Sequence, residues 1–439
     1  MGSEIVLVTI IFFAGLLILM MTGLPIAFVL SALGMLMALC MWGTGAPYMI
    51  YLSTISLLNY YTIVALPLFV FMGVVLSKSG VGEDLFEVIH KWMGPINGGL
   101  SMGAIVISVI MAAMVGVSGP AIIVLALIAL PAMLGRGYDK IMVTGAIQAG
   151  GGLGILIPPS SYMILYAIMA GLSLGKLFAA AIFPGLLLAV IFIIYIGIRC
   201  LINPKLGPAL PINERASWKD KFIALKSLVM PLLLIFLALG IIFLGIAAPT
   251  EAAAIAAVGS LICAAVNKKL TWKLIHESCI ECMHVSALLG WLLIGVFAYT
   301  NVYNGLGAIE LIQDIFLKLD VGKWGALLLM QLTWFLLGIF MDEVAMLFIT
   351  MPVYLPIIKH FGFDPIWFGI LYCINAQMAL MTPPFGFNIF IMKGIAPKEI
   401  SLGDIYRSVW PFVALQGLCL VIVMLYPEIA LWLPSKIFK

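Results

Sequence analysis

Apolar runs long enough to cross a bilayer recur along this chain, separated by short polar or glycine- and proline-rich breaks. Residues 5–21, 177–198 and 228–246 approach or reach the ~20 residues that a spanning helix needs. Backbone polar groups in lipid must be satisfied locally, which excludes open sheets, and the period-two alternation of a β-barrel is not evident. The pattern predicts an all-α polytopic membrane protein. The run at 5–21 follows Met1-Gly2-Ser3-Glu4, with no basic residue ahead of it and no small-residue cleavage site behind. It is expected to be a retained helix rather than a signal peptide.

The breaks repeat at an offset of 225 residues. Pro158-Pro159 maps onto Pro383-Pro384, Pro131 onto Pro356, Asp139 onto Asp364, Gly34 onto Gly259 and Ala27 onto Ala252. Gly80-Val81-Gly82 maps onto Gly305-Leu306-Gly307 without a gap. Prolines and glycines dictate where a helix must stop. The shared punctuation therefore predicts a duplicated unit, with a first repeat at 1–200, a basic linker at 201–226 and a second repeat at 227–439. Duplicated units with broken helices are a mark of secondary transporters.

Each repeat opens with two spans, at 5–21 and 24–41, then at 230–246 and 249–266. A third segment, 47–79 or about 275–304, is too long for one helix and is expected to fold as a re-entrant hairpin. Asn59 and Thr62 would then lie near the first tip, Thr300 and Asn301 near the second. Segments at 98–117 and 120–134 follow, then a helix broken within 150–159 and a span at 177–199. Their counterparts are 325–340, 344–358, a helix broken at 382–384, and 409–433.

Charge adds direction. The connection 199–226 carries six Lys or Arg and is expected on the cytoplasmic side; Lys268, Lys269 and Lys273, two spans on, fall on the same side. Lys78 and Lys91 follow the first third segment, whereas 303–316 carries only Glu310 and Asp314. Positive charge sits on opposite loops in the two repeats, which predicts inverted topology.

Composition agrees, with 64% hydrophobic and 9% charged residues over 439 positions and a mean hydropathy of +1.23. A soluble domain is typically about 25% charged. Seven scattered cysteines imply no disulfide framework. A net charge of +3 says little about partners, and nothing points to nucleic acid. No polar stretch is long enough for a soluble domain, so capture of substrate outside the membrane is expected to come from another chain.

The run from Ala149 to Ser161 cannot be regular helix throughout, because Pro158 and Pro159 remove two amide donors and four glycines weaken the turns before them. Unwound backbone at membrane depth is tolerated where it is buried or lines a wet cavity; there its carbonyls can coordinate Na⁺. The alternative is a packing kink. Met381-Thr382-Pro383-Pro384-Phe385-Gly386 at the equivalent place favours the ion reading. A second pair of breaks lies at 115–120 and 338–343, where Asp342 and Glu343 are adjacent carboxylates in an apolar stretch. Either could hold an ion or a proton, or simply sit at a helix amino terminus. Glu251 opens a helix after Pro249 and reads first as a helix-start residue. Cys279, Cys282 and His284 form a single cluster without a second ligand pair, a weak basis for a metal site. No HExxH, G-x-S-x-G or GxxxxGK[ST] motif supports proteolysis, acyl transfer or ATP hydrolysis.

Taken together, the residues resemble the large membrane subunit of the tripartite ATP-independent periplasmic (TRAP) transporters. The resemblance covers nearly the whole chain: Gly23-Leu24-Pro25-Ile26-Ala27, Ala65-Leu66-Pro67-Leu68-Phe69, Gly152-Leu153-Gly154-Ile155-Leu156-Ile157-Pro158-Pro159-Ser160, Pro249-Thr250-Glu251-Ala252-Ala253, Met341-Asp342 and Thr382-Pro383-Pro384-Phe385-Gly386-Phe387-Asn388. The first break reads Gly116-Val117-Ser118-Gly119, where members often show a richer serine and glycine stretch. The resemblance implies an elevator-type fold and Na⁺-driven import, with two or more ions, of a small carboxylate or sulfonate across a bacterial inner membrane. It also implies two partners, a small four-helix membrane subunit and a periplasmic substrate-binding protein, and no enzymatic activity. Substrate contacts map to Ser118, Ser160, Asp342 and Asn388. Na⁺ sites, largely backbone, map to Asn59, Gly116, Ser118, Gly154, Pro158, Pro159, Asp342, Thr382, Pro383, Pro384 and Gly386. A stand-alone Na⁺/carboxylate symporter or antiporter would need no binding protein, and a channel fits broken inverted repeats less well. A membrane enzyme would need a catalytic cluster, whereas His90, His276, His284 and His360 fall mostly near predicted loops.

Overall fold

A computed structural model describes residues 11, 14–16, 18, 19, 24, 26–305, 322–339, 341, 343–384 and 386–438, and the regular elements among them are helices. The first repeat comprises α1 (Ile26–Trp42), α2 (Ala46–Leu58), α3 (Ala65–Ser77), α4 (Val81–Met93), α5 (Gly99–Val115), α6 (Ser118–Leu134), α7 (Lys140–Leu156), α8 (Ser161–Ala170) and α9 (Leu174–Ile202). The linker holds the short α10 (Trp218–Ala224). The second repeat comprises α11 (Lys226–Phe243), α12 (Pro249–Val266), α13 (Trp272–Gly305), α14 (Gly322–Gly338), α15 (Glu343–His360), α16 (Pro365–Met381), α17 (Phe387–Ile395), α18 (Leu402–Leu425) and α19 (Glu428–Ile437). Eight helical stretches among the described residues are long and apolar enough to span a membrane.

The duplication is visible in the helix boundaries. Helices α7 and α16 start and stop at matched positions. The Asp139 carboxylate accepts from the Met142 amide at 2.8 Å, and Asp364 accepts from the amides of Ile366 and Trp367 at 2.7 and 3.1 Å. Such N-caps contribute about 1 kcal/mol each by satisfying orphan donors. Both helices then break at their proline pairs, and both Pro–Pro bonds are cis. The first break is shorter than the glycine content suggests: Gly150, Gly151, Gly152 and Gly154 all remain inside α7, which runs to Leu156. Their smallness serves packing. A Cβ on Gly150 would lie 2.2 Å from Ser108 Oγ, one on Gly151 2.1 Å from Ile122 Cγ1, and one on Gly154 2.6 Å from the Val117 carbonyl. Helices in lipid use small residues in this way to approach closely.

The hairpins differ from the sequence expectation. Residues 275–304 form part of the continuous helix α13, not two half-helices. Helix α2 lies along α1 and α13, while α3 packs on α12, α13 and α5, so the 47–79 segment does not close on itself either. The patch Asn59-Tyr60-Tyr61-Thr62 is exposed in part and joins α2 to a short 3-10 turn, Tyr61–Val64; polar residues there reflect a surface interruption rather than a tip. Helix hairpins lie instead at α5–α6 and α14–α15, whose paired helices pack on each other. In the first, Ser101 Oγ reaches Met133 Sδ at 3.6 Å and the Leu100 amide donates to Tyr138 Oη at 3.3 Å, joining the two open ends. Gly116, with φ 71°, supplies the left-handed turn between them. In the second, Trp324 meets Phe363 at 6.2 Å between ring centroids, and Trp334 Nε1 donates to Thr350 Oγ1 at 2.7 Å.

Opposite orientation follows from the contacts. The open end of α5–α6 and the start of α7 lie against the linker, since Gly98 N donates to Gly207 O at 2.7 Å and Asp139 N to Leu206 O at 3.0 Å. Helix α8, beyond the break, instead meets the start of α16, where Tyr166 Oη donates to Pro365 O at 2.6 Å. At the other end, Lys140 on α7 pairs with Asp404 on α18 at 2.7 Å. The broken helices α7–α8 and α16–α17 thus run antiparallel, as inverted repeats require.

Candidate functional site

Each hairpin and each proline break ends by starting a new helix, and these starts converge. A cavity of about 460 Å³ is lined by Val117, Ser118, Gly119 and Pro120 at the start of α6, by Ser161 and Tyr162 at the start of α8, by Val344 at the start of α15, and by Phe387 at the start of α17. Four helix amino termini therefore surround one space. Each carries the equivalent of about half a positive charge. The opposite wall, from α3 and α13, is apolar except for Glu281, which is held by Lys78 at 3.0 Å.

Contacts across the repeats tie the starts together. Ser118 Oγ donates to Asn388 Oδ1 at 3.2 Å, joining α6 to α17. Glu343 is the positional counterpart of Ser118; it is buried, and the Tyr162 hydroxyl donates to its Oε1, joining α8 to α15. Backbone links complete the centre, with Ser161 N donating to Gly116 O at 3.1 Å. A Cβ at Gly116 would strike the Pro159 carbonyl at 2.4 Å, so the first hairpin tip is seated directly on the first proline break.

The structure brings together most of the residues singled out by sequence. Gly116, Ser118, Gly154, Pro158, Pro159 and Ser160 form one group of tip and break. Ser160 Oγ is buried without a hydrogen-bond partner among the described residues. Prolines at 158 and 159 also remove the amides that the carbonyls of Gly154 and Ile155 would otherwise receive. In the second repeat the Thr382 amide donates to Ala379 O at 3.2 Å, while its hydroxyl donates to Met378 O at 2.6 Å. Gly386, with φ 25°, caps α17, and Asn388, the second residue of that helix, is fully buried. Pro383 is half-buried and Pro384 exposed. Asn59 stands apart, exposed at the end of α2 and away from the cavity. Asp342 and Phe385 lie outside the described residues. Glu251 takes the helix-start role, accepting from the Ala248 amide at 2.8 Å. Cys282 Sγ approaches the Pro67 carbonyl at 3.1 Å. Sequence reasoning passed over Gln377 and Gln416, although an amide side chain in the middle of an apolar helix is itself a signal.

Residues 13–429 match the family described as "Tripartite ATP-independent periplasmic transporter, DctM component". The chain is 31% identical over 378 residues to the C4-dicarboxylate TRAP transporter large permease protein DctM of Pseudomonas aeruginosa, covering 86% of this chain and 87% of that one. It is 29% identical over 428 residues to the isethionate TRAP transporter permease protein DctMQ of Oleidesulfovibrio alaskensis, covering 94% of this chain and 64% of that longer one. The ectoine TRAP transporter large permease protein TeaC of Halomonas elongata is 26% identical, with 90% and 96% covered. Among solved structures, the YdaH transporter of Alcanivorax borkumensis aligns with a TM-score of 0.64 at 14% identity over 89% of each chain, a likeness of fold.

Proposed function

Because the chain belongs to the DctM component family of tripartite ATP-independent periplasmic transporters, as a large permease, we propose that it imports a small organic anion, a carboxylate or sulfonate, driven by Na⁺. The observation that carries this reading is the convergence of four helix amino termini on one cavity. Positive dipole ends suit an anionic head group without a basic side chain. Hard oxygen ligands for Na⁺ would be supplied beside it by the carbonyls that Pro158 and Pro159 leave without amide donors, and by the Leu380 carbonyl, the counterpart of Ile155 ahead of Pro384. Asp342 is assigned to one of these ions.

Movement is proposed to be of the elevator kind. The two hairpins, the two broken helices, α9 and α18 would travel together against a frame of α1–α3 and α11–α13. A small four-helix membrane subunit would brace that frame, and a periplasmic binding protein would deliver the anion, in a bacterial inner membrane. The test is uptake into proteoliposomes that contain the chain and its small subunit, with loaded binding protein outside. Accumulation that requires an inward Na⁺ gradient is expected. Uptake that persists without Na⁺ and without the binding protein would instead favour a stand-alone carrier.

A further inference from the structure

Next to the Ser118–Asn388 contact, three buried amides meet. A Cβ added at Gly152 would lie 3.8 Å from Asn388 Nδ2, 4.0 Å from Gln377 Oε1 and 4.0 Å from Gln416 Nε2. Helices α7, α16, α17 and α18 each contribute one of these residues, so both repeats build the enclosure. All three amide side chains are 0% exposed. Among the described residues, Asn388 Nδ2, Gln377 Nε2, Gln377 Oε1 and Gln416 Oε1 have no hydrogen-bond partner. An unmet buried polar atom costs about 1–3 kcal/mol, so unmet ends on three neighbouring amides point to a guest that meets them.

The chemistry of that guest is constrained. Facing Gly152 are the unmet Asn388 Nδ2 donor and the unmet Gln377 Oε1 acceptor, beside Gln416 Nε2, which donates to Met381 Sδ at 3.6 Å, and none of these side chains is charged. A carboxylate or sulfonate oxygen only accepts, and would leave Gln377 Oε1 unmet. A metal cation would face amide NH₂ groups. A hydroxyl both donates and accepts, as the amides do. Rotating any amide end for end exchanges its donor and acceptor but keeps the mixture. The enclosure is also adjacent to the anion space: Asn388 Oδ1 accepts from Ser118 Oγ, and Ser118 lines the cavity.

We propose that Gln377, Asn388 and Gln416 around Gly152 form a hydroxyl-binding subsite, so that the anion carried is a hydroxylated organic acid. This rests on the anion reading given above and narrows it. Ser118 is then a shared partition, with the acidic group on its cavity side and a hydroxyl on its amide side.

Matched acids that differ only in hydroxyl groups test the assignment. The purified chain with its small subunit, in Na⁺, is titrated by thermal stabilisation with succinate, L-malate and L-tartrate, with ethanesulfonate and isethionate, and with hexanoate and gluconate. In at least one series the hydroxylated member should bind about tenfold or more tightly than its parent. Gln377→Met and Gln416→Met, which keep volume and remove the amide, should each reduce that preference to about twofold or less, as should Gly152→Ala, which fills the enclosure with a methyl group. Three variants on three helices guard against one that fails to fold. Binding without hydroxyl preference in every responding series overturns the subsite, and so does a preference that the variants leave intact. Failure of every acid to stabilise the protein overturns the anion reading itself.

Discussion

Gly154 and Tyr162 show how little slack the centre has. At Gly154 a methyl group would meet main chain of the first hairpin rather than a yielding side chain. Gly154→Ala is therefore expected to destabilise by about 1–3 kcal/mol, the usual range for an overpacked core. Uptake should fall at least tenfold in the same variant, since the hairpin tip must shift. A thermal melt and a transport assay on one preparation check both, and wild-type uptake would show that the contact yields freely. Tyr162→Phe removes one donor from the buried Glu343 carboxylate. A typical intramolecular hydrogen bond contributes about 0.5–1.5 kcal/mol net, so a drop in melting temperature is expected. An unchanged melt would mean that the pair contributes nothing to holding α8 against α15.

Hairpin placement can be decided chemically at the level of helices. In a background lacking the seven native cysteines, Asn59→Cys should react with a membrane-impermeant thiol reagent regardless of ligand, because Asn59 is exposed outside the cavity. Val117→Cys, which lines the cavity, should be protected by Na⁺ and anion together. Protection at 59 and not at 117 would restore the tip suggested by the polar patch. That patch misled because a polar interruption between apolar runs has the same composition at a tip and at an exposed joint. The Gly116 turn was harder to see as a tip, since glycine, serine and proline together also read as a kink. By contrast Asp139, Asp364 and the two proline pairs were legible, because capping and missing amides act locally whatever the surroundings. Gln377 and Gln416 acquire meaning only when four helices are assembled, so no spacing rule along one helix reveals their meeting.

Across the whole molecule, the frame and the proposed moving unit touch where α3 meets the first hairpin. A Cβ at Gly73 would lie 2.7 Å from the Val115 carbonyl, a near-contact of two backbones. Gly73→Leu is accordingly expected to cut uptake at least tenfold while the complex with the small subunit still assembles, which size-exclusion chromatography and proteoliposome uptake together would show. Normal transport in that variant would argue against sliding at this surface. The ring of helix starts has one more consequence. Peptide dipoles have no proton to gain or lose, unlike a lysine or histidine placed to greet an acid. Attraction built from them should hold steady as surroundings acidify or turn alkaline, leaving any pH sensitivity of loading to the cargo's own ionisation and to the few carboxylates nearby.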